Sequence, residues 1–85
     1  MGIDMFYNRG TIGNIVEQIS FALLQYGDVY CRFDEDRAIV SLWTNRNFDS
    51  KGGRTLKEYG YVYIFTHSTQ EIIRDMLVVR ELELL

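Results

Sequence analysis

Two neighbouring segments carry apolar side chains at every second position, and this pattern constrains the fold more than any other feature of the sequence. Residues 28–34 and 37–44 lie on either side of an acidic turn at residues 35–36, which predicts a β-hairpin. A two-residue turn places Cys31 opposite Val40, and directly opposed residues share one face of a sheet. A slip of one residue would scatter the apolar side chains over both faces, so the pattern selects this register. The predicted core face consists of Val29, Cys31, Phe33, Ala38, Val40 and Leu42.

A third strand is predicted over residues 59–66, because this segment is rich in the aromatic and β-branched side chains that favour strands. If Leu42 lies opposite Val62, the apolar residues of this strand extend the core face. The sequence therefore predicts an antiparallel β-meander over about residues 28–66.

The segment between the second and third predicted strands is unusually basic. Residues 46–57 have a formal charge of +3, whereas the rest of the 85-residue chain has a formal charge of −6. Continuing the hairpin register places Arg46 opposite Glu58 and makes residues 45–58 a twisted arm beyond the sheet. Gly53 would then adopt the left-handed conformation in the loop of this arm.

Other interpretations of the basic arm remain open. Structurally, the alternative to an arm is a long loop. The charges either keep this segment solvated or dock it on an acidic partner or a phosphate backbone. The basic side chains concerned are Arg46, Lys51, Arg54 and Lys57.

Helices are predicted on both sides of the meander. Residues 11–26 place apolar side chains at helical spacing, with Gly27 as a left-handed residue after the helix. Ser68 and Glu71 form a capping-box pattern at the start of a second helix, which is predicted over residues 69–80.

More than one structure fits the pattern at the two ends of the chain. Residues 3–8 are compatible with a short N-terminal strand, and residues 78–84 with either a continued helix or a further strand. No repeat or linker-like segment interrupts residues 1–85, so the sequence predicts a single α+β domain.

The second face of the predicted sheet carries aromatic side chains where a solvent-exposed face usually carries polar ones. Five of the twelve aromatic residues fall on it. Three interpretations are open: a helix or the C-terminal segment covers this face, a protein partner or second copy docks on it, or nucleic-acid bases stack on it. The face comprises Tyr30, Arg32, Ile39, Ser41, Trp43, Tyr61, Tyr63 and Phe65.

The sequence contains no residue pattern typical of catalysis, of a metal centre or of a cofactor site. Cys31, the single cysteine, falls on the predicted core face, so we expect an inert buried thiol and no intramolecular disulfide. His67, the single histidine, lies at a strand-to-helix junction without a second histidine or a cysteine suitably placed beside it. We therefore expect no enzymatic activity, no metal and no small-molecule cofactor.

The favoured function is a small, non-catalytic binding or regulatory protein. It docks on a partner protein, or on a second copy of itself, through the aromatic face and the basic arm. By class-level analogy, an inhibitor or antagonist of a larger enzyme, of the immunity type or encoded by a phage, fits this description. The alternative is a nucleic-acid-binding module. In it, bases stack on Trp43, Tyr61 and Tyr63, and the basic arm binds phosphates. The net charge of −3 disfavours this alternative.

The expected location is the cytoplasm. A single cysteine fits a reducing compartment, and no basic segment leads into an apolar run at the N-terminus, so we expect no signal peptide. No membrane span is expected either, because no apolar run approaches the roughly 18–20 residues that a bilayer requires.

Overall fold

The computed structural model describes residues 9–46 and 53–85, and it confirms an α+β fold in which helices flank a β-meander. Helix α1 (Arg9–Leu23) precedes three strands, which are β1 (Val29–Asp34), β2 (Ile39–Thr44) and β3 (Arg54–Gly60). Two helices follow, α2 (Tyr61–Thr66) and α3 (Thr69–Leu84). The strands form one antiparallel sheet in the order β1-β2-β3. The strand predicted at residues 3–8 lies outside the described residues.

The hairpin of β1 and β2 is shifted by two residues from the predicted register. Cys31 pairs with Leu42, two residues beyond its predicted partner, because the turn contains four residues and not two. The Asp34 side chain accepts a hydrogen bond of 3.2 Å from the backbone N–H of Arg37, which stabilises the longer turn. A shift of two residues leaves every side chain on its original face. The predicted core face is therefore confirmed, except that Ala38 lies in the turn with a φ of 56°.

The predicted strand at residues 59–66 is wrong, because β3 ends at Gly60 and helix α2 follows it directly. The segment alternates like a strand, but Tyr61, Ile64 and Phe65 also have the i, i+3, i+4 spacing of one helix face. Ile64 is only 1% exposed, and both aromatic side chains pack against the core. Burial of this helix face therefore outweighs a strand propensity that depends strongly on context.

Strand β3 is formed by a charged segment that was predicted to belong to the arm. Leu42 pairs with Lys57 and not with Val62, and a β-bulge follows Leu42. Residues 54–58 are therefore part of the sheet and do not project beyond it. Arginine, lysine and glutamate side chains are common on edge strands, where they discourage pairing with other chains.

Two glycines adopt the left-handed conformation that the sequence predicted. Gly27 has a φ of 76° and follows the turn at the end of α1. Gly53 has a φ of 80°, and a Cβ atom at this position would clash with the carbonyl oxygen of Thr44. Glycine is required at position 53 for both reasons.

Helix α3 begins at the predicted capping box and is longer than predicted. The backbone N–H of Glu71 donates to Oγ of Ser68 at 3.1 Å, and the N–H of Ser68 donates to Oε1 of Glu71 at 2.8 Å. The helix continues to Leu84, so residues 78–84 are helical. Helix α1, in contrast, ends three residues before its predicted end at residue 26.

The three described helices and one sheet face enclose a cluster of buried side chains. Because the helices share this cluster, the described elements cover only one side of the sheet. The buried members are Ile12, Ile19, Leu23, Val29, Val40, Leu42, Tyr59, Ile64, Ile72 and Met76.

Candidate functional site

The sheet face opposite the core cluster is the candidate functional surface. None of its side chains belongs to the cluster that the described helices cover. Cross-strand pairing places Tyr30 beside Trp43, and Arg32 beside Ser41. We call this surface the open face, and its members are Tyr30, Arg32, Asp34, Ile39, Ser41, Trp43, Thr55 and Glu58.

Three side chains of the open face form a stack. The ring centroids of Tyr30 and Trp43 are 6.3 Å apart and the ring planes are inclined by 27°. The guanidinium carbon of Arg32 lies 4.4 Å from the centroid of the Trp43 ring. Aromatic and cation–π contacts of this kind contribute about 0.5–1 kcal/mol each at exposed sites and fix the orientation of the side chains. The stack therefore presents a preformed surface of two aromatic rings and one guanidinium group.

A groove of about 560 Å³ extends along the open face from Trp43 to the β1–β2 turn. Ser41, which is only 6% exposed, lines it in the middle of the sheet. The guanidinium of Arg37 donates two hydrogen bonds of 3.2 Å to the carboxylate of Glu58, a geometry typical of strong arginine–carboxylate pairs. Among the residues that the structure describes, the lining contains four acidic and two basic side chains and has a formal charge of −2. The lining residues are Arg32, Phe33, Asp34, Glu35, Asp36, Arg37, Ser41, Trp43, Thr55 and Glu58.

The structure separates the predicted aromatic face into two groups of side chains. Three of its residues belong to helix α2, because β3 ends at Gly60. The ring of Tyr61, for example, lies 6.1 Å from the ring of Phe33 on the core side of the sheet. The predicted sheet position is therefore wrong for Tyr61, Tyr63 and Phe65, whereas Tyr30, Arg32 and Trp43 share the open face.

The predicted basic arm is largely ion-paired with the rest of the chain. Three of its four basic side chains form ion pairs with acidic residues from other parts of the chain. Arg46 does not pair with Glu58 as predicted, and Lys51 lies outside the described residues. These ion pairs hold the basic segment against the rest of the protein. They are Arg46–Asp28, Arg54–Glu83 and Lys57–Asp75.

Asp28 connects three parts of the fold, although no motif in the sequence marks it as important. Its carboxylate accepts hydrogen bonds of 2.9 and 3.2 Å from Nε of Arg80 and lies 3.1 Å from Nε of Arg46. Its backbone carbonyl accepts a hydrogen bond of 2.9 Å from the hydroxyl of Thr44. The guanidinium of Arg80 also lies 4.7 Å from the ring centroid of Tyr26. No sequence pattern relates residues so far apart, so only the tertiary structure reveals this cluster.

Asp75 joins helix α3 to strand β3 through two hydrogen bonds. The hydroxyl of Tyr59 donates to its carboxylate at 2.7 Å, and the ammonium group of Lys57 donates at 2.9 Å. Partial burial opposes ionisation of Asp75, but these two hydrogen bonds outweigh it and lower the pKa of the carboxyl group. Burial, together with the hydrogen bond to Asp75, raises the pKa of Tyr59 well above its ordinary value. Tyr59 therefore stays protonated and acts as the donor in this pair.

Stability at acid pH is expected to depend on Asp75. Because folding lowers its pKa, the contribution of Asp75 is complete above the unfolded-state value, near 3.8, and is lost as the pH falls through the folded-state value. We therefore expect urea unfolding of an Asp75→Asn variant to depend less on pH below about pH 4 than that of the wild type. Part of the remaining dependence comes from Glu71, whose pKa is lowered mainly by the backbone N–H of Ser68. Identical pH profiles for the variant and the wild type would contradict this account of Asp75.

The structure places Cys31 against the core cluster and His67 against the ring of Tyr63. Burial raises the pKa of the Cys31 thiol to about 12, so its reactive thiolate form is scarce. The ring of His67 stacks on that of Tyr63 with a centroid distance of 3.9 Å, and its Nδ1 lies 3.0 Å from the carbonyl oxygen of the same residue. Over residues 9–46 and 53–85, no group of three or more His, Cys, Asp or Glu side chains is placed to hold a metal ion. Within the same ranges, no helix has the length and apolar character needed to cross a membrane.

Comparisons with protein-family models, with curated proteins and with solved structures found no match to this chain. The fold and the chemistry of the open face are therefore the basis for a functional assignment.

Proposed function

We propose that this chain is a small, non-catalytic binding protein and that its partner, a second protein, docks on the open face. The observation that carries the proposal is the stack of Tyr30, Arg32 and Trp43 on a sheet face that the described helices leave uncovered. Tryptophan, tyrosine and arginine are the side chains most enriched among residues that dominate binding energy at interfaces. Because the three are already held together, ordering them costs little conformational entropy when a partner binds.

Within this class, we propose regulation or inhibition of a larger protein as the biological role, on class-level analogy. An inhibitor of this kind needs one rigid docking surface and no catalytic groups. The cytoplasm is the proposed location, because the lone, partly buried Cys31 needs no oxidising compartment.

The nucleic-acid alternative has less support. Two of the three aromatic side chains predicted to stack on bases, Tyr61 and Tyr63, lie on helix α2 and not on the sheet. Phosphate binding relies on available cations, whereas Arg46, Arg54 and Lys57 are ion-paired. The charge of −2 in the groove beside Trp43 also repels phosphate groups.

Affinity capture from a native lysate, with two matched variants, tests the proposal. The open-face variant carries Arg32→Ala and Trp43→Ala. The control variant carries Phe21→Ala and Leu24→Ala, which remove two exposed apolar side chains near the end of helix α1. Circular dichroism first establishes that both variants are folded. We expect the wild type and the control to retain the same partner, and the open-face variant to retain roughly tenfold less or lower, since loss of an interface hot spot costs about 2 kcal/mol or more.

Two results would contradict the proposal. One is retention of the partner by the open-face variant, and the other is failure of the wild type to capture any protein. Self-association in light scattering that disappears in the open-face variant would instead assign this face to a homodimer.

A further inference from the structure

The groove on the open face has two chemically different ends. At one end lies Trp43, whose ring stacks with that of Tyr30 beside the groove. At the other end, the β1–β2 turn brings together the carboxylates of Asp34 and of turn residues 35–36. Residues 39–43 of strand β2 separate the two ends, which corresponds to about 13 Å at about 3.3 Å per residue.

The acidic end carries negative charge that the ion pairs of the described lining do not neutralise. Arg37 is paired with Glu58 through two hydrogen bonds, so these two charges compensate each other. Asp34 accepts a backbone N–H, and neither Asp34 nor Asp36 has an ion pair among the residues that the structure describes. The second cation of the described lining, Arg32, lies over the ring of Trp43. The turn therefore favours a cationic segment and disfavours an anionic one.

The aromatic end can accept the aliphatic part of a cationic side chain. The guanidinium of Arg32 already lies 4.4 Å from the centroid of the Trp43 ring, so the charged group of a partner is favoured at the turn and not on this ring. An arginine or lysine of a partner can place its aliphatic stem on the Tyr30–Trp43 surface and direct its charged group towards the turn. The aromatic end thus accommodates the stem, and the acidic turn favours the charge.

We propose that the segment of the partner protein that occupies this groove is cationic. It is an extended stretch of about four residues that carries arginine or lysine side chains and lies between Trp43 and the acidic turn. This inference rests on the proposed function and deepens it, because it gives the charge of the docking segment. Complementary charge of this kind accelerates association and excludes acidic partners.

The fluorescence of Trp43 provides a direct test, because this residue is the single tryptophan of the chain and lines the groove. The probe is a tryptophan-free peptide of about five alternating arginine and alanine residues, long enough to span the groove. A peptide with glutamate in place of arginine is the comparison. We expect a saturable change in emission with the arginine peptide and none with the glutamate peptide. Binding should weaken several-fold between about 0.1 and about 1 M salt, as the Debye length falls from about 10 to about 3 Å.

Two charge-reversal variants locate the interaction. Asp36→Lys reverses one charge at the acidic end of the groove, and Glu17→Lys makes the same change on the exposed side of helix α1. We expect the first variant to bind the arginine peptide roughly tenfold more weakly and the second to bind it like the wild type.

An equal response to both peptides, or no response to the arginine peptide, would overturn the inference. A response to a single-stranded DNA oligonucleotide that exceeds the response to the arginine peptide would overturn it as well. If the open-face variant still loses its captured partner, these results leave the proposed function in place. If the peptide results are negative and the open-face variant also retains the captured partner, both proposals fail.

Discussion

Replacing Cys31 with aspartate is expected to lower the free energy of unfolding by about 3 kcal/mol, because it places an ionisable carboxyl group on the core face. Cys31 packs against the buried cluster, and the same burial that raises the pKa of its thiol to about 12 penalises an ionised carboxylate. A chain of 85 residues has a total stability of about 4–13 kcal/mol, so this loss is a large fraction of it. Urea denaturation followed by circular dichroism measures the difference.

The next residue provides the matched control for this substitution. Arg32 lies on the open face, so an Arg32→Asp variant loses mainly its cation–π contact with Trp43, worth about 1 kcal/mol or less. Equal losses of stability in the Cys31→Asp and Arg32→Asp variants would refute the assignment of the two sheet faces.

An Asp28→Asn variant is expected to lose about 2–3 kcal/mol of stability. Its side chain is 16% exposed and is ion-paired with both Arg46 and Arg80, the latter only 18% exposed. Removing one partner of a poorly solvated ion pair leaves the other charges without compensation, which costs more than the loss of an exposed pair. Thermal or urea denaturation of the purified variant measures this loss.

The exposed pair between Arg37 and Glu58 is the control for Asp28. The two side chains are 61% and 42% exposed, so a Glu58→Gln variant is expected to lose less than about 1 kcal/mol. If Asp28→Asn were no more harmful than Glu58→Gln, the cluster around Asp28 would not be a major contribution to stability.

The faces of the β1–β2 hairpin were predictable, although its register was not. The alternation of Val29, Cys31 and Phe33 has a period of two, so an error of two residues leaves the faces unchanged. The length of the turn depends on local hydrogen bonding by Asp34 and on the left-handed conformation of Ala38. The left-handed conformation is usually adopted by glycine or asparagine, so an alanine gives no sequence signal for it.

The third strand and the helix that follows it were not predictable from local preference. Residues 59–66 satisfy both a strand pattern and a helix pattern, and the choice depends on which one buries Ile64 in the common core. The same error placed Tyr61, Tyr63 and Phe65 on the sheet. The prediction that Tyr30, Arg32 and Trp43 share one sheet face is unaffected by this error, because all three residues lie in the β1–β2 hairpin, whose faces were predicted correctly.

Sequence patterns could not predict the ion pairs, for a different reason. Asp28 and Arg80 are separated by 52 positions, and no helical or strand periodicity relates them. Their pairing changes the interpretation of the basic segment as well, since Arg46 shares the same carboxylate. Charge counted along the chain therefore overstated the positive charge available to a partner.

Site-specific photocrosslinking tests most directly the claim that a partner docks on the open face. Benzoylphenylalanine replaces Tyr30 on the open face in one sample and Phe21 on the exposed side of helix α1 in another, so that both substitutions exchange one aromatic side chain for another. We predict that irradiation in a native lysate gives one dominant adduct with a second protein from position 30 and none from position 21. An adduct from position 21 without one from position 30 would contradict the proposed docking surface.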